Sequence, residues 1–246
     1  MAPQTIGLLH PGEMGAAVGA VLRQQGHRVV WASEGRSEAT RARAEEAGLE
    51  DVGSPAKVAD AEVVFSICPP HAALEVAGSA SFAGVYVDAN AVSPATAAKV
   101  ADAVEQFVDG GIVGSPPRDA GTTRLYLSGE RAEEVAALFA GSVLDARVVS
   151  NASGMKMAYA AWTKGTAAML LAIRELARRE GVEEALLAEW DLSQPELRER
   201  HARALRSAEA KGWRWVAEME EIAATFEADG LPGGFHRAAA EIYRER

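Results

Sequence analysis

The first 150 residues alternate short β-forming runs with segments of helical spacing, and this alternation restricts the fold more than any other feature. Strands are predicted at residues 5–9, 28–32, 62–67, 85–89 and 124–129. Several of them are almost continuous apolar runs, as expected for strands covered on both faces. Helices are predicted at residues 12–24, 37–47, 71–78, 94–106 and 130–140. The alternation predicts an α/β fold with a doubly wound, mostly parallel sheet.

After residue 150 the strand signal ends, and the rest of the sequence is predicted to be helical. The first and longest helix is expected to begin near Asn151 or Ser153, as N-cap, and to stop at Gly181. Further helices are predicted at residues 182–190, 195–211, 213–229 and 235–245. The sequence therefore predicts an all-α region behind the α/β region.

Length, charge and cysteine content limit the class of protein. A chain of 246 residues that is 48% hydrophobic can fill two cores, and we predict domains at residues 1–150 and 151–246. The net charge of −10 argues against nucleic acid or an anionic membrane as partner. Cys68 is the single cysteine, and neither a signal peptide nor a membrane span is recognisable. We expect a cytoplasmic protein, and no metal site because the histidines lack ligand spacing.

The first predicted strand leads through a glycine-containing turn into a helix. In this setting backbone N–H groups and a helix N-terminus can hold a pyrophosphate. Gly12 allows close phosphate approach and Gly15 allows tight helix–strand packing, whereas the usual first glycine is replaced by His10. The alternative is a structural turn with incidental glycines. We predict a Rossmann domain whose cofactor-binding turn comprises His10, Pro11, Gly12, Glu13 and Met14.

The end of the second predicted strand indicates which dinucleotide binds. An NAD site places an acid there for the ribose hydroxyls, but this chain has Ala32. The residues that follow include Ser33, Arg36 and Ser37, a cation and hydroxyls suited to a 2′-phosphate. Arg36 could instead be a solvated residue at a helix start, and Glu34 could serve a ribose. The sequence favours NADP over NAD.

Five motifs together resemble the β-hydroxyacid dehydrogenase superfamily, which includes 6-phosphogluconate dehydrogenase and the imine reductases. They are IGLLHPGEMG (6–15), SICPPH (66–71), VDANAVSP (87–94), VDGGIVGSPP (108–117) and SGMKMAYAAWTKG (153–165). The chain looks most like a branch of phosphogluconate-dehydrogenase-like proteins with a C-terminal helical domain of unknown function. The resemblance covers nearly the whole chain and implies a nicotinamide-dependent oxidoreductase.

The resemblance also implies roles for particular residues. Cofactor contacts are expected from Cys68, Pro69, Pro70 and Asn90, and substrate contacts from Gly114, Ser115 and Pro116 in a loop. Val113 stands where relatives carry serine, so one carboxylate donor is missing. His236 is expected at the substrate, where a partner subunit's helix approaches, although a helix-capping role is the alternative.

Lys156 matches the lysine that the family uses as its general acid or base. Helical spacing independently places it on one face with Tyr159 and Thr163. Lysine is scarce in this chain, and arginine cannot release a proton near neutrality. A lysine that merely pairs with an acid is the alternative. We predict Lys156, Tyr159 and Thr163 as catalytic residues, with Lys156 also contacting substrate.

Two departures from the family leave the substrate open. The asparagine usually found four residues after the lysine is Ala160, so Tyr159 or Thr163 is expected to take its part. A later Lys-Asp pair is Ala217-Glu218, which removes a cofactor contact.

The sequence thus predicts an NADP-dependent oxidoreductase acting on a small hydroxy or oxo compound that carries an acid group. A homodimer is expected through the helical domain, which is short for burying its own apolar faces. The alternatives are an imine reductase of the same fold and a non-catalytic NADP-binding sensor.

Overall fold

The computed structural model describes residues 2–245, which divide into two compact units with a boundary between Lys156 and Met157. The first unit is an α/β unit and the second is helical. The predicted fold class, a doubly wound sheet followed by an all-α region, is confirmed. Within residues 2–245 no helix is both long and apolar enough to cross a membrane.

The α/β unit is built from strands β1 to β8 and helices α1 to α6. The strands are β1 Thr5–Leu8, β2 Arg28–Trp31, β3 Glu50–Asp51, β4 Val63–Ser66, β5 Val85–Asp88, β6 Phe107–Gly114, β7 Thr123–Ser128 and β8 Leu144–Val148. The helices are α1 Glu13–Gln24, α2 Glu38–Glu46, α3 Pro55–Ala59, α4 Ala73–Ala77, α5 Pro94–Ala101 and α6 Ala132–Ala137. A 3₁₀ turn, Pro70–Ala72, precedes α4.

The strands form one sheet in the order β3-β2-β1-β4-β5-β6-β7-β8. All neighbours are parallel except the antiparallel pair β6–β7. Apolar residues fill both faces: Phe65 belongs to one core cluster, and its neighbour Val64 packs with Tyr86 in another. Because the chain winds outward in both directions from β1 and β4, a crevice for a ligand is expected at the carboxyl ends of these strands.

All five predicted strands are present, but the sequence interpretation missed β3, β6, β8 and α3. The important error concerns residues 108–117, which were expected to form a loop. Their first part belongs to β6, which pairs with β5 and β7, and only the residues after Gly114 form the loop. Gly110 obscured the strand pattern, yet packing explains it, because a Cβ there would lie 3.0 Å from the Asp88 carbonyl oxygen.

The helical region consists of α7 Ala152–Arg179, α8 Glu183–Ser193, α9 Leu197–Ala228 and α10 Gly234–Arg244. Helix α7 begins in the first unit and stops before Gly181, which has φ +71°, as predicted. The predicted break between residues 211 and 213 is wrong, because α9 is continuous. Gly212 is buried in α9, and a Cβ there would lie 3.7 Å from the Tyr243 carbonyl oxygen of α10. This glycine therefore accommodates helix packing rather than ending a helix.

Candidate functional site

The turn between β1 and α1 presents an open helix N-terminus. Gly12 is the N-cap of α1, has extended backbone angles and offers no side-chain cap. A Cβ placed on Gly12 would meet no atom within 4 Å. The first N–H groups of α1 thus face space that an anion can enter, and the helix dipole favours negative charge there. Glu13 is exposed in the first turn of the same helix.

Gly15 is required for the shape of this turn. A Cβ at Gly15 would lie only 2.3 Å from the carbonyl oxygen of His10. That oxygen also accepts a hydrogen bond from the Gly12 N–H at 2.8 Å. Pro11 is buried, and Met14 packs against the sheet core. The turn therefore keeps a close-packed shape although histidine replaces its first glycine.

His10 is uncharged near neutral pH in this setting. Burial, followed by the positive charge of Arg36, lowers the pKa of His10 to about 4. The Nδ1 atom of His10 is buried and has no hydrogen-bond partner within residues 2–245. A neutral imidazole beside the β1–α1 turn can donate one hydrogen bond but supplies no charge.

The end of β2 brings Arg36 to the same turn. Its guanidinium donates to the carbonyl oxygen of Leu9 at 3.2 Å. Ala32, which directly follows β2, is buried and carries no acid. Ser37 is the N-cap of α2, where its hydroxyl accepts from the Thr40 N–H at 3.3 Å. Arg36 is thus the charged group of this segment that lies at the predicted cofactor turn.

Asp51, which the sequence reasoning missed, lies beside Ser33. Its Oδ1 accepts from the N–H groups of Ser33 at 3.1 Å and Gly53 at 2.8 Å. A hydrogen bond from the Ser33 hydroxyl contributes most to lowering the pKa of Asp51, and the two backbone N–H bonds lower it further. The acid comes from β3, which was too short to recognise from sequence. It places a negative charge near the segment predicted to bind a 2′-phosphate.

The loop after β4 is braced from β5. Asn90 is buried; its Oδ1 accepts from the Cys68 N–H at 2.5 Å, and its Nδ2 donates to Ser66 Oγ at 3.1 Å and to Asp88. Burial raises the pKa of the Cys68 thiol to about 11, so the thiol stays protonated. The predicted cofactor residues Cys68 and Asn90 therefore contact each other, and Asn90 fixes the backbone leading into Pro69 and Pro70.

Lys156 lies near the start of α7, against β6. Its Nζ donates to the carbonyl oxygen of Ile112 at 2.9 Å. Gly111 makes this approach possible, because a Cβ there would be 2.8 Å from Lys156 Cβ and 3.0 Å from the Ala152 carbonyl oxygen. Gly114, with φ +119°, ends β6 two residues after Ile112, and Ser115 and Pro116 follow in the loop.

The first turn of α7 is fastened to the sheet by two buried side chains. Asp109 Oδ2 accepts from the Ser153 N–H at 2.7 Å and from Ser128 Oγ at 3.1 Å. Ser128 Oγ in turn accepts from the Ala152 N–H at 2.9 Å. Sequence reasoning missed Asp109 and Ser128, since a polar residue inside a strand is informative only when its strand neighbours are known.

The other predicted catalytic residues lie further along α7. Tyr159 is exposed, and the hydroxyl of Thr163 donates to the Tyr159 carbonyl oxygen at 3.2 Å. In the second unit, Lys164 of α7 forms a largely buried ion pair with Glu218 of α9. Glu218, seen in the sequence only as a departure from the family, therefore joins two helices.

His236 is buried within the second unit. Its ring lies 4.5 Å from the ring of Phe226, centroid to centroid, and packs against Gly165 of α7. Burial lowers the pKa of His236, and its Nδ1 has no hydrogen-bond partner within residues 2–245. The substrate contact expected of His236 stays a prediction.

The residues present fit a dinucleotide. His10, Arg36, Cys68 and Asn90 follow β1, β2, β4 and β5 at the carboxyl ends of neighbouring parallel strands, so they share one edge of the sheet. The uncapped N-terminus of α1 and the empty space at Gly12 suit a pyrophosphate. Within residues 2–245, no group of three or more His, Cys, Asp and Glu side chains could hold a metal ion.

Two protein families match parts of the chain. Residues 5–92 match the family described as NADP oxidoreductase, coenzyme F420-dependent, and residues 177–246 match a domain of unknown function, DUF1932. A protein of 28.5 kDa from Methanothermus fervidus, uncharacterised, is 32% identical over 162 residues. That alignment spans 63% of this chain and 63% of the relative, which is less than two thirds of its length.

Solved structures extend the similarity to the whole chain. A conserved protein from Sinorhizobium meliloti is 30% identical with TM-score 0.71, covering 99% of this chain and 88% of that one. A conserved protein of unknown function, similar in structure to 3-hydroxyacid dehydrogenases, is 29% identical with TM-score 0.72, covering 98% and 96%. The 3-hydroxyisobutyrate dehydrogenase of Mycobacterium tuberculosis shares the fold at 20% identity and TM-score 0.69, covering 99% and 94%. An imine reductase from Pseudomonas shares it at 16% and 0.58, covering 99% and 93%.

Proposed function

Because the chain belongs to the NAD(P)-binding, 6-phosphogluconate dehydrogenase-like family of oxidoreductases with a C-terminal helical domain, we propose that it is an NADP-dependent dehydrogenase or reductase. It transfers a hydride between the nicotinamide and a small hydroxy or oxo substrate that carries an acid group. The placement of Lys156 carries this proposal.

Lys156 supplies the proton that the reaction requires. Reduction of a carbonyl creates an alkoxide, and oxidation of an alcohol releases a proton, so a titratable group must lie within hydrogen-bond reach. The Lys156 ammonium is held at the Ile112 carbonyl, two residues before the strand end at Gly114. An ammonium has three N–H donors, and the carbonyl of Ile112 fixes the direction of one of them. A surface lysine would lack this fixed carbonyl partner.

The remaining residues of the α/β unit bind and orient. When bound, a nicotinamide cofactor would supply or take up the hydride. The α1 N-terminus at Gly12 would hold its pyrophosphate, and the braced loop from Cys68 to Pro70 would support the ribose and nicotinamide. Gly114, Ser115 and Pro116 form the substrate side, where exposed backbone and the Ser115 hydroxyl can bind the acid group.

NADP rather than NAD is favoured by Arg36, whose guanidinium already lies at the β1 turn. A planar guanidinium binds a phosphate through two parallel hydrogen bonds. Asp51 works against this assignment, because its charge beside Ser33 repels a 2′-phosphate. The balance of these two side chains sets the preference.

The experiment that tests the function is a substrate screen with NADPH and NADP⁺. The panel contains oxo acids, aldehydes, the matching hydroxy acids and cyclic imines, and absorbance at the nicotinamide band reports turnover. We expect turnover of an oxo acid and the matching hydroxy acid. Turnover of cyclic imines alone identifies an imine reductase, with Tyr159 as its donor. Tight NADPH binding without turnover of any substrate identifies a nucleotide sensor.

We also propose that the protein is a homodimer through its helical domain. Tyr159, Trp162, Met169, Ile173 and Leu176 are exposed and follow α7 at intervals of three, four and seven residues. Such a stripe on a 28-residue helix is typical of a helix–helix interface and unusual on a monomer.

Light scattering at micromolar concentration tests the dimer. We expect twice the monomer mass for the wild type and the monomer mass for Leu176→Glu. The control is Leu192→Glu on α8, because Leu192 is 83% exposed but lies off the stripe. A monomeric wild type, or equal dissociation by both variants, contradicts the proposal.

A further inference from the structure

Asp109 is a buried carboxylate that the proposed reaction leaves without a role. It is 8% exposed, and burying a carboxylate is unfavourable unless hydrogen bonds and positive potential offset the lost hydration. Both are supplied by α7: the Ser153 N–H donates to Asp109 Oδ2, and the helix N-terminus carries a partial positive charge. Ser128 completes the link, since its hydroxyl joins Asp109 to the Ala152 N–H.

This cap differs from an ordinary one because its acceptors come from the sheet. The local cap of α7 is Asn151, whose Oδ1 accepts from the Gly154 N–H at 2.7 Å. Within residues 2–245 the Asn151 side chain bonds only inside this turn, to Ser153 and Gly154, and not to the sheet. Asp109 on β6 and Ser128 on β7 instead fasten that turn to two paired strands, whose register sets Asp109 opposite Ser128.

Strand β6 bonds both to the α7 backbone just before Lys156 and to the Lys156 side chain. Asp109 fixes the backbone of α7 three residues before Lys156, and the Ile112 carbonyl, three residues further along β6, fixes its Nζ. Between them, Gly111 lets the turn lie directly against the strand. A shift of the first turn away from β6 therefore carries the Lys156 ammonium with it.

We propose that Asp109, together with Ser128, is a positioning residue that sets the location of the Lys156 ammonium for proton transfer. The inference rests on the proposed function, but the geometry it assigns exists without substrate. Asp109 acts through the backbone of α7 and touches neither the substrate nor the cofactor. A proton donor displaced by about 1 Å loses up to roughly 100-fold in rate.

Four variants separate positioning from helix capping. Asp109→Ala and Ser128→Ala remove side chains that join the sheet to the α7 backbone by hydrogen bonds. We expect kcat to fall roughly 10- to 100-fold with the KM for NADPH unchanged. In Asp109→Asn the amide oxygen can take the place of Oδ2 and accept the same two bonds, so kcat should stay within about threefold. Asn151→Ala is the matched control, because it removes a cap from the same turn and leaves the hydrogen bonds to Asp109 and Ser128 in place. Its kcat should also stay within about threefold.

Chemical labelling gives a readout that needs no turnover. Reductive methylation followed by peptide mapping measures how fast Lys156 reacts, with the exposed Lys57 and Lys99 as internal references. We expect Lys156 to react several-fold faster in Asp109→Ala and Ser128→Ala than in the wild type. Asp109→Asn and Asn151→Ala should label like the wild type.

The kcat values and the rates of Lys156 labelling distinguish failure of the proposed function from failure of the positioning role. A wild type without turnover refutes the proposed function, while the labelling rates still decide the positioning role. Unchanged kcat and unchanged Lys156 labelling in Ser128→Ala and Asp109→Ala overturn the inference. It is equally overturned if Asn151→Ala impairs kcat and labelling as much as Asp109→Ala, because the effect then belongs to capping alone. The Ser128 variant removes one hydroxyl and keeps the test valid if Asp109→Ala does not fold.

Discussion

Two glycines of the β1 turn should respond in opposite ways to the same added methyl group. At Gly12 a Cβ meets no atom within 4 Å, so Gly12→Ala fits the fold but fills the space at the α1 N-terminus. At Gly15 a Cβ would lie 2.3 Å from the His10 carbonyl oxygen, where ordinary contacts are 3.4–4 Å. Gly12→Ala should therefore damage binding, and Gly15→Ala should damage stability.

The magnitudes follow from these distances. For Gly12→Ala, reduced unfolded-state entropy favours folding by about 0.4–1 kcal/mol and the poorer N-cap opposes it by a similar amount, so unfolding free energy should change by less than about 0.5 kcal/mol. The methyl group hinders hydrogen bonds from backbone N–H groups to phosphate, each worth about 1.5–3 kcal/mol, so NADPH affinity should fall at least about 10-fold. Gly15→Ala must displace backbone by about 1 Å, and such overpacking costs about 1–3 kcal/mol.

Urea unfolding and calorimetric titration with NADPH measure the two effects on the same samples. We expect Gly12→Ala to unfold like the wild type and to bind NADPH weakly. If Gly12→Ala binds NADPH as tightly as the wild type, the assignment of this turn to the pyrophosphate is wrong.

Further predictions concern charge. Arg36→Ala should weaken NADPH binding by about 1–3 kcal/mol and leave NADH binding almost unchanged; equal wild-type affinities for NADPH and NADH in calorimetry would contradict the NADP preference. Asp51→Asn should tighten NADPH binding roughly two- to fivefold; an unchanged NADPH affinity would contradict the effect assigned to this charge. Because the folded-state pKa of His10 is lowered to about 4, its contribution to stability is present above about pH 6.5 and is lost as the pH falls toward 4. In urea unfolding, the free energy of unfolding of His10→Asn should therefore fall less steeply over this pH range. An identical pH slope for His10→Asn and the wild type would refute this. Glu218→Ala removes the carboxylate paired with the largely buried Lys164 and should lower the unfolding free energy by about 3–5 kcal/mol; a change below about 1 kcal/mol would refute a structural role for the pair.

The parts of the fold that sequence predicts well are those with strong periodicity. Strands β1, β2, β4, β5 and β7 are apolar enough to recognise alone, and α7 has both a capping Asn151 and a terminating Gly181. Strand β6 was hidden because its glycines serve close packing against Asp88 and Lys156, a requirement that only the three-dimensional arrangement reveals.

Site residues divide in the same way. Gly12, Arg36 and Lys156 could be predicted as site residues because their residue types match a chemistry at a definite place in a strand–turn–helix pattern. Asp51 and Asp109 were missed because each acts through backbone N–H groups of segments distant in sequence, Ser33 and Ser153. Acidic residues are common on surfaces, so residue type alone does not distinguish a buried acceptor from a solvated charge.

We propose that the Lys156 ammonium exchanges the proton of the reaction, and the turnover of Lys156 variants measures this role. On one accepted oxo substrate, Lys156→Ala should bind NADPH normally but lose roughly 10²- to 10⁴-fold in kcat. Lys156→Arg should be nearly as slow, because arginine keeps the charge but cannot release its proton near neutrality. Near wild-type turnover by Lys156→Ala would contradict the claim.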